Sequence, residues 1–281
     1  MRAVDLHVHS DRSDGTYTPA QLVDYALQKG IAAFALTDHD TIEGLDEALS
    51  YAADKPVEVV PGIEFSTKYE ERDVHVVGLY IRYDAPAFRA KLQSFVDSRI
   101  NRNMKMCANL QSAGIDITYQ KLCEENPGAV ITRAHYAAYL TKHGYVSDRT
   151  EAFAKYVGDD CPYFVPREKV TPMQAVSLIL EAGGIPVLAH PPLYHMDKES
   201  LNALVRLLKE AGLMGIETLY SSYSTQDERD MFHLAKKYEL LPSGGSDFHG
   251  ENKPGLDLAS GYGKLFVPEC FLEDMKKALG R

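Results

Sequence analysis

Short apolar runs alternate with amphipathic stretches along most of the chain. Ala3, Val4 and Leu6 form the first run and predict a strand. Thr18-Pro19-Ala20-Gln21 then offers an N-cap, a proline at the first helical position and a capping-box partner. Leu22, Val23, Ala26 and Leu27 share one helical face, and Gly30 stops the helix. Residues 31–36 read as a buried strand, 44–53 as a helix and 57–63 as a third strand. Strand and helix in regular alternation predict a parallel sheet. Residues 74–80 resemble a further strand.

From 85 to 167 the apolar spacing becomes helical, through Phe88, Leu92, Phe95 and Ile100. Further helical patches cover 134–140 and 148–157, with no clear strand between them. The expectation is an inserted helical subdomain over 85–167, between barrel segments 1–84 and 168–281. The α/β rhythm returns at Val170, where Thr171-Pro172-Met173-Gln174 repeats the helix-start chemistry. Strands are expected over 185–189, over 215–218 and from Leu240 onward, with helices over 197–211 and 225–238 between them. Residues 264–267 and a terminal helix close the chain, for about seven core strands in all.

Several of these strands carry a His, Asp or Glu where the apolar run ends. His7 and His9 lie two apart, so on a strand both imidazoles face the same way. Asp14 follows, with Gly15 for a sharp turn. His39, Glu64, His190, Asp247 and His249 end later runs, whereas His75 sits at the start of its run. In β/α barrels functional groups collect at the carboxyl ends of the strands, in one ring. An open doubly wound sheet would spread them along an edge. Nine such donors exceed the three or four protein ligands of one catalytic zinc. They suit two or three divalent ions, with Glu64 or Asp247 able to bridge. Mixed imidazole and carboxylate donors fit Mn, Fe or Zn without selecting one.

Composition narrows the partners. The chain has 281 residues, 45% of them hydrophobic, which fits one large α/β domain or a core with an insertion. A formal net charge of -10 argues against a broad basic surface for duplex nucleic acid. Cys107, Cys123, Cys161 and Cys270 are scattered, so neither a disulfide framework nor a thiolate zinc site is expected. Reduced thiols and the lack of a leader pattern point to a cytoplasmic protein. No apolar run approaches the roughly 20 residues of a membrane span.

The motifs carry a resemblance. His7-Val8-His9 with Ser13-Asp14-Gly15, Thr37-Asp38-His39-Asp40, Pro61-Gly62-Ile63-Glu64, His75, Leu188-Ala189-His190-Pro191 and Gly245-Ser246-Asp247-Phe248-His249 resemble, in order, those of the PHP (polymerase and histidinol phosphatase) family. The resemblance implies a distorted (β/α)7 TIM-like barrel with a trinuclear metal site. It implies that His7, His9, Glu64 and Asp247 hold one metal and that Asp14, His39 and His249 hold a second. Glu64, His75 and His190 would hold a third. No ligand position is replaced.

The insertion resembles the cap of family phosphoesterases acting on nucleoside 3',5'-bisphosphates and short RNA 5' ends, through Arg99, Arg102-Asn103 and Ile131-Thr132-Arg133-Ala134-His135. Read alone, Arg99 and Arg102 also fit a solvated helix face. By resemblance Arg99, Asn103, Arg133 and His135 bind substrate. Arg133, whose planar guanidinium can donate two parallel hydrogen bonds, is expected to hold a phosphate that is not cleaved. Asp40 and His249 are the catalytic candidates, Asp40 as donor of a proton to the leaving oxygen. Cyclic phosphate phosphodiesterases and histidinol phosphatases share the metal motifs, and some PHP domains are accessory modules of polymerases. Tyr163, Tyr220 and Tyr223 are candidates to line the pocket. His143, His195 and His233 lack partner spacing and read as structural.

Overall fold

The structure, a computed structural model, describes residues 2–70, 72–166 and 170–281. Strand β1 (Ala3–Val8) leads to helix α1 (Pro19–Lys29). The Thr18/Gln21 capping box forms, and Gly30 ends the helix at φ 67°, a left-handed value that glycine takes without a Cβ clash. Then come β2 (Ala33–Leu36), α2 (Leu45–Ala52), β3 (Glu58–Tyr69) and β4 (Arg72–Leu79). Helices α3 (Pro86–Ser112), α4 (Tyr119–Glu125), α5 (Arg133–Lys142) and α6 (Arg149–Ala152) follow, the last running into a π-helical turn at Phe153–Val157. The second half has α7 (Pro172–Glu181), β5 (Ile185–Leu188), α8 (Lys198–Glu210), β6 (Gly215–Tyr220), α9 (Thr225–Lys237), β7 (Leu241–Gly245), β8 (Val267–Pro268) and α10 (Glu269–Ala278).

The strands form one sheet in the order β7-β6-β5-β4-β3-β2-β1-β8. Past the end of β7, Phe248 bridges in parallel to Val8. Asp247 N–H donates to the His7 carbonyl at 2.9 Å, and His9 N–H to the Phe248 carbonyl at 3.0 Å. These bonds close the sheet into a barrel at the rim. At the other end of β1, the two-residue β8 pairs with Ala3 and Val4.

Strand β4 departs from the purely parallel expectation. It runs antiparallel to both β3 and β5. Its start therefore lies beside the ends of its neighbours, with His75 opposite Ser66 and Val76 opposite Leu188. This explains why His75 opens its apolar run while its fellow donors close theirs. Strand β3 also continues past Glu64 to Tyr69, because β4 pairs with it there.

Strand residues divide by parity, as the two-residue period requires. Phe34 and Leu36 pack with helix residues such as Leu22, Leu45 and Leu204 in one apolar cluster. Ala33 and Ala35 join Val60, Val77, Ile185 and Val187 in another, with Leu272 and Met275 of α10. A third cluster, from Met106 to Val157, belongs to the helical insertion, drawing on its helices, the segments between them and the π-helical turn. Phe88 and Leu92, in the first turns of α3, pack with the barrel cluster instead. The expected boundary at 167/168 lies outside the described residues. Among the described residues the four cysteines are free, and no helix is long and apolar enough to cross a membrane.

Barrel closure depends on Gly245. A Cβ there would lie 2.4 Å from His7 Cβ and 2.5 Å from His7 N. Gly245→Ala should therefore destabilise the metal-free protein by about 1–3 kcal/mol in denaturant unfolding. An unchanged midpoint would mean that β7 and β1 do not approach as described.

Candidate metal centre

The nine donors expected from strand ends meet at the rim. His7 and His9 come from β1 and the residue after it, His39 follows β2, Glu64 lies in β3 and His75 in β4. His190 follows β5, and Asp247 and His249 follow β7. Asp14 arrives on a turn held by Asp38, which accepts from Ser10 N–H at 2.8 Å and from the hydroxyls of Ser10 and Ser13, each at 2.6 Å. Gly15 allows the close return, because a Cβ there would sit 2.4 Å from the His9 carbonyl oxygen. Asp40, His190 and Asp247 all take left-handed φ values, 53°, 32° and 56°. Such non-glycine strain persists only where the surroundings over-determine it, as at functional rims.

Donor atoms converge at ligand spacing. Glu64 Oε2 lies 3.2 Å from His7 Nε2, 3.3 Å from His9 Nε2 and 3.0 Å from His39 Nδ1. Its other oxygen, Oε1, lies 2.9 Å from His75 Nδ1 and 3.1 Å from His190 Nε2. Asp247 Oδ1 is 3.2 Å from His9 Nε2 and 3.6 Å from His7 Nε2. Asp14 Oδ1 is 3.1 Å from His249 Nε2, and Asp14 Oδ2 is 3.9 Å from His39 Nε2. Ligands about 2.1 Å from a shared ion stand roughly 3.0–3.4 Å from each other. Two oxygens of one carboxylate facing different histidines is the arrangement of a bridging ligand.

Buried atoms left without partners test the fit. His7 Nε2, His9 Nε2, Asp14 Oδ1 and Glu64 Oε2 are buried and have no hydrogen-bond partner. Four orphaned donors at one rim would be costly unless a cation satisfied them. The set fits a divalent metal. Charge tells the same story. Burial opposes ionisation of Glu64, yet His7, His39 and His75 hold it well below the usual carboxylate range. Burial likewise opposes a charge on His9, but Asp247 and Glu64 push it up to about 9. Burial drives His39 down to about 3, outweighing Glu64 and Asp14. The rim thus carries buried anions that demand positive charge.

A cleft opens beside the donors, between the barrel rim and the helical insertion. Asp14, His39 and His75 form its floor, and Lys68, Arg99, Arg102 and Arg133 bring cations to its walls. Thr132, the N-cap of α5, donates to Asp14 Oδ2 at 3.1 Å and so ties the insertion to the rim.

The expected substrate residues separate here. Arg99 reaches the cleft, buried and hydrogen-bonded to Asp40 and to Ser66 Oγ. Arg133 also lines it, but is braced by Asp73 at 2.6 Å and Asp159 at 2.8 Å, with its guanidinium over Phe153 and Phe164. Asn103 does not line the cleft. Its amide donates to the Ile131 carbonyl at 2.8 Å inside the insertion. His135 turns back instead, its Nδ1 accepting from Thr132 N–H at 2.9 Å, because it completes the capping box of its own helix. Asp40 accepts from Arg99 and from Ser66 N–H. A carboxylate so engaged orients the arginine and is poorly placed to donate a proton. Tyr220 donates to Asp247 Oδ2 at 2.6 Å, and Tyr223 packs beside it with its ring tilted by 41°, whereas Tyr163 lies against Tyr156 in the insertion. His143 pairs with Glu125 at 2.8 Å, away from the rim.

Three buried acids have roles that the sequence did not assign. Asp5 accepts from Ser246, Ala259 and His7, and burial raises it to about 6. Asp38 pins the Asp14 turn, and Glu217 meets His7 and the backbone of His190. Each is an acid inside or just after an apolar strand, and that contrast was the available signal. Lys253, which pairs with Asp247, sits in an irregular loop and gave none.

A barrel with imidazole and carboxylate donors gathered at one rim defines a divalent-metal-binding α/β protein. The PHP domain model matches residues 5–209, which include the donors from His7 to His190. The 3',5'-nucleoside bisphosphate phosphatase of Chromobacterium violaceum is 36% identical over 273 residues, covering 96% of this chain and 94% of that protein. A 5'-3' exoribonuclease of Haemophilus influenzae is 39% identical over 246 residues, covering 87% and 89%. The solved structure of a proposed metal-dependent phosphoesterase from Bifidobacterium adolescentis superimposes with a TM-score of 0.86 at 26% identity, over 100% of this chain and 99% of that one. The chain belongs to the PHP domain family.

Stripping divalent ions with a chelator should lower the thermal midpoint, and adding Mn or Zn should restore it. Free metal at a hundredfold excess over its Kd adds about 2.7 kcal/mol. Equal midpoints with and without chelator would contradict a metal-binding rim.

Proposed function

We propose that this chain is a phosphoesterase that releases phosphate from a nucleoside 3',5'-bisphosphate or from short RNA 5' ends. It would use two or three divalent ions of the Mn, Fe or Zn type. The observation that carries the reading is Glu64, whose two oxygens face separate histidine sets beside a cation-lined cleft. His7, His9, Glu64 and Asp247 would hold one ion, Asp14, His39 and His249 a second, and Glu64, His75 and His190 a third. When bound, such ions lower the pKa of water and neutralise charge on the reacting phosphate. The insertion, expected over 85–167, would serve as the cap over this rim.

The chain's own residues bind and orient the substrate. Arg99, set by Asp40 and Ser66, presents a fixed guanidinium in the cleft that His39 and His75 also line, with its remaining N–H groups suited to phosphate oxygens. Lys68 adds a point charge from the β3 side. Arg133 stands farther out, where its charge is shared with Asp73 and Asp159. That position suits the phosphate that stays on the product. The acidic chain thus concentrates its local cations where a substrate of about three or four negative charges must enter. The relatives bring the substrate class: the 3',5'-nucleoside bisphosphate phosphatase and the 5'-3' exoribonuclease match 96% and 87% of the chain.

Phosphate release from adenosine 3',5'-bisphosphate and from a short 5'-phosphorylated RNA, with added Mn, tests the reading, and no release from either with any of Mn, Fe or Zn would refute it. Arg133→Ala should lower kcat/KM on the bisphosphate roughly 10- to 150-fold, the worth of one charge-assisted contact. It should change an aryl monophosphate little, since that substrate has no second phosphate. Equal losses in steady-state kinetics on both would remove Arg133 from that role.

A further inference from the structure

Glu217 lies in the body of β6 and is 1% exposed. Its Oε1 is 2.8 Å from His7 Nδ1, and its Oε2 accepts from His190 N–H at 2.6 Å. These two partners come from separate strands, β1 and the end of β5. We propose that Glu217 is a positioning residue that sets two metal ligands at once, fixing the His7 tautomer and the His190 backbone; this rests on the metal-centre reading above.

An ionised carboxylate only accepts hydrogen bonds. Facing Glu217, Nδ1 of His7 must therefore carry the proton. Nε2 is then left as a lone-pair donor, and it is the orphaned atom that points at Glu64 and Asp247. The second oxygen acts on backbone. His190 sits at φ 32° and ψ 51° directly before Pro191, a conformation a residue preceding proline resists. The bond to its N–H holds it there, with Nε2 3.1 Å from Glu64 Oε1. A buried carboxylate is an expensive way to fill space in a strand. Two acceptors on one rigid side chain are what these partners need, and no apolar residue supplies them.

Glu217→Gln separates this role from packing. Glutamine keeps the shape but has one acceptor and one donor group. The His190 N–H can only donate, so it takes the amide oxygen. The amide NH2 then faces His7 Nδ1, which must accept, and the proton moves to Nε2. A protonated Nε2 cannot bind metal.

The test uses the full chain loaded with zinc, a diamagnetic ion. NMR of the histidine ring nitrogens should show wild-type His7 protonated at Nδ1 and zinc-bound through Nε2. In Glu217→Gln, zinc affinity measured against a competing chelator should fall about 10- to 100-fold. Circular dichroism of the metal-free protein should stay unchanged. A folded Glu217→Gln with wild-type zinc affinity would overturn the proposal. So would wild-type His7 bound through Nδ1, a result that needs no variant and stands even if Glu217→Gln fails to fold. A wild-type protein that takes up no zinc, Mn or Fe would instead overturn the metal-centre reading, and the proposal with it.

Discussion

Glu64 is a fully buried carboxylate that faces five imidazoles, three on one oxygen and two on the other. Burial alone would raise its pKa, and the surrounding histidines hold it well below the usual carboxylate range. An anion in that setting is stable only with positive charge shared around it. Divalent ions at the rim would supply that charge and satisfy the orphaned atoms as well. The barrel must therefore bring its strand ends together closely enough for both oxygens to be used. Its closing bonds, the antiparallel β4 and the strained rim residues all serve that approach.

The helical insertion extends this constraint outward. Thr132 caps α5 and donates to Asp14 in the same place, so the helix start is registered against a donor of the metal centre. Arg99 crosses from α3 to Asp40, next to His39. Arg133 reaches from α5 to Asp73 on β4 and to Asp159 near the π-helical turn. The cleft between rim and insertion is thus braced on several sides by charged contacts. Its cations are oriented before a phosphate arrives, which lowers the ordering cost of binding.

Much of this was legible in the sequence because short-range chemistry decides it. Thr18/Gln21 and Thr171/Gln174 form the helix starts they predict, and His7-Val8-His9 presents two rings at one rim. The direction of β4 was not legible, since a strand's own alternation is the same in either orientation and only pairing decides. The extension of β3 to Tyr69 has the same origin. Residues acting through others were hardest to see. Glu217, Asp5 and Asp38 are defined by partners distant in sequence. Arg133, Asn103 and His135 looked alike as polar residues of the insertion. Their local helix geometry sends one to the cleft, one into the interior and one back to its own cap.

The most direct test of the central claim is metal stoichiometry by elemental analysis, on wild type and Glu64→Gln loaded with Mn or Zn. The account predicts two or three ions per wild-type chain. It predicts a loss of more than one in Glu64→Gln, because that side chain would hold two of them. A folded wild-type protein that holds at most one ion at full activity would contradict it.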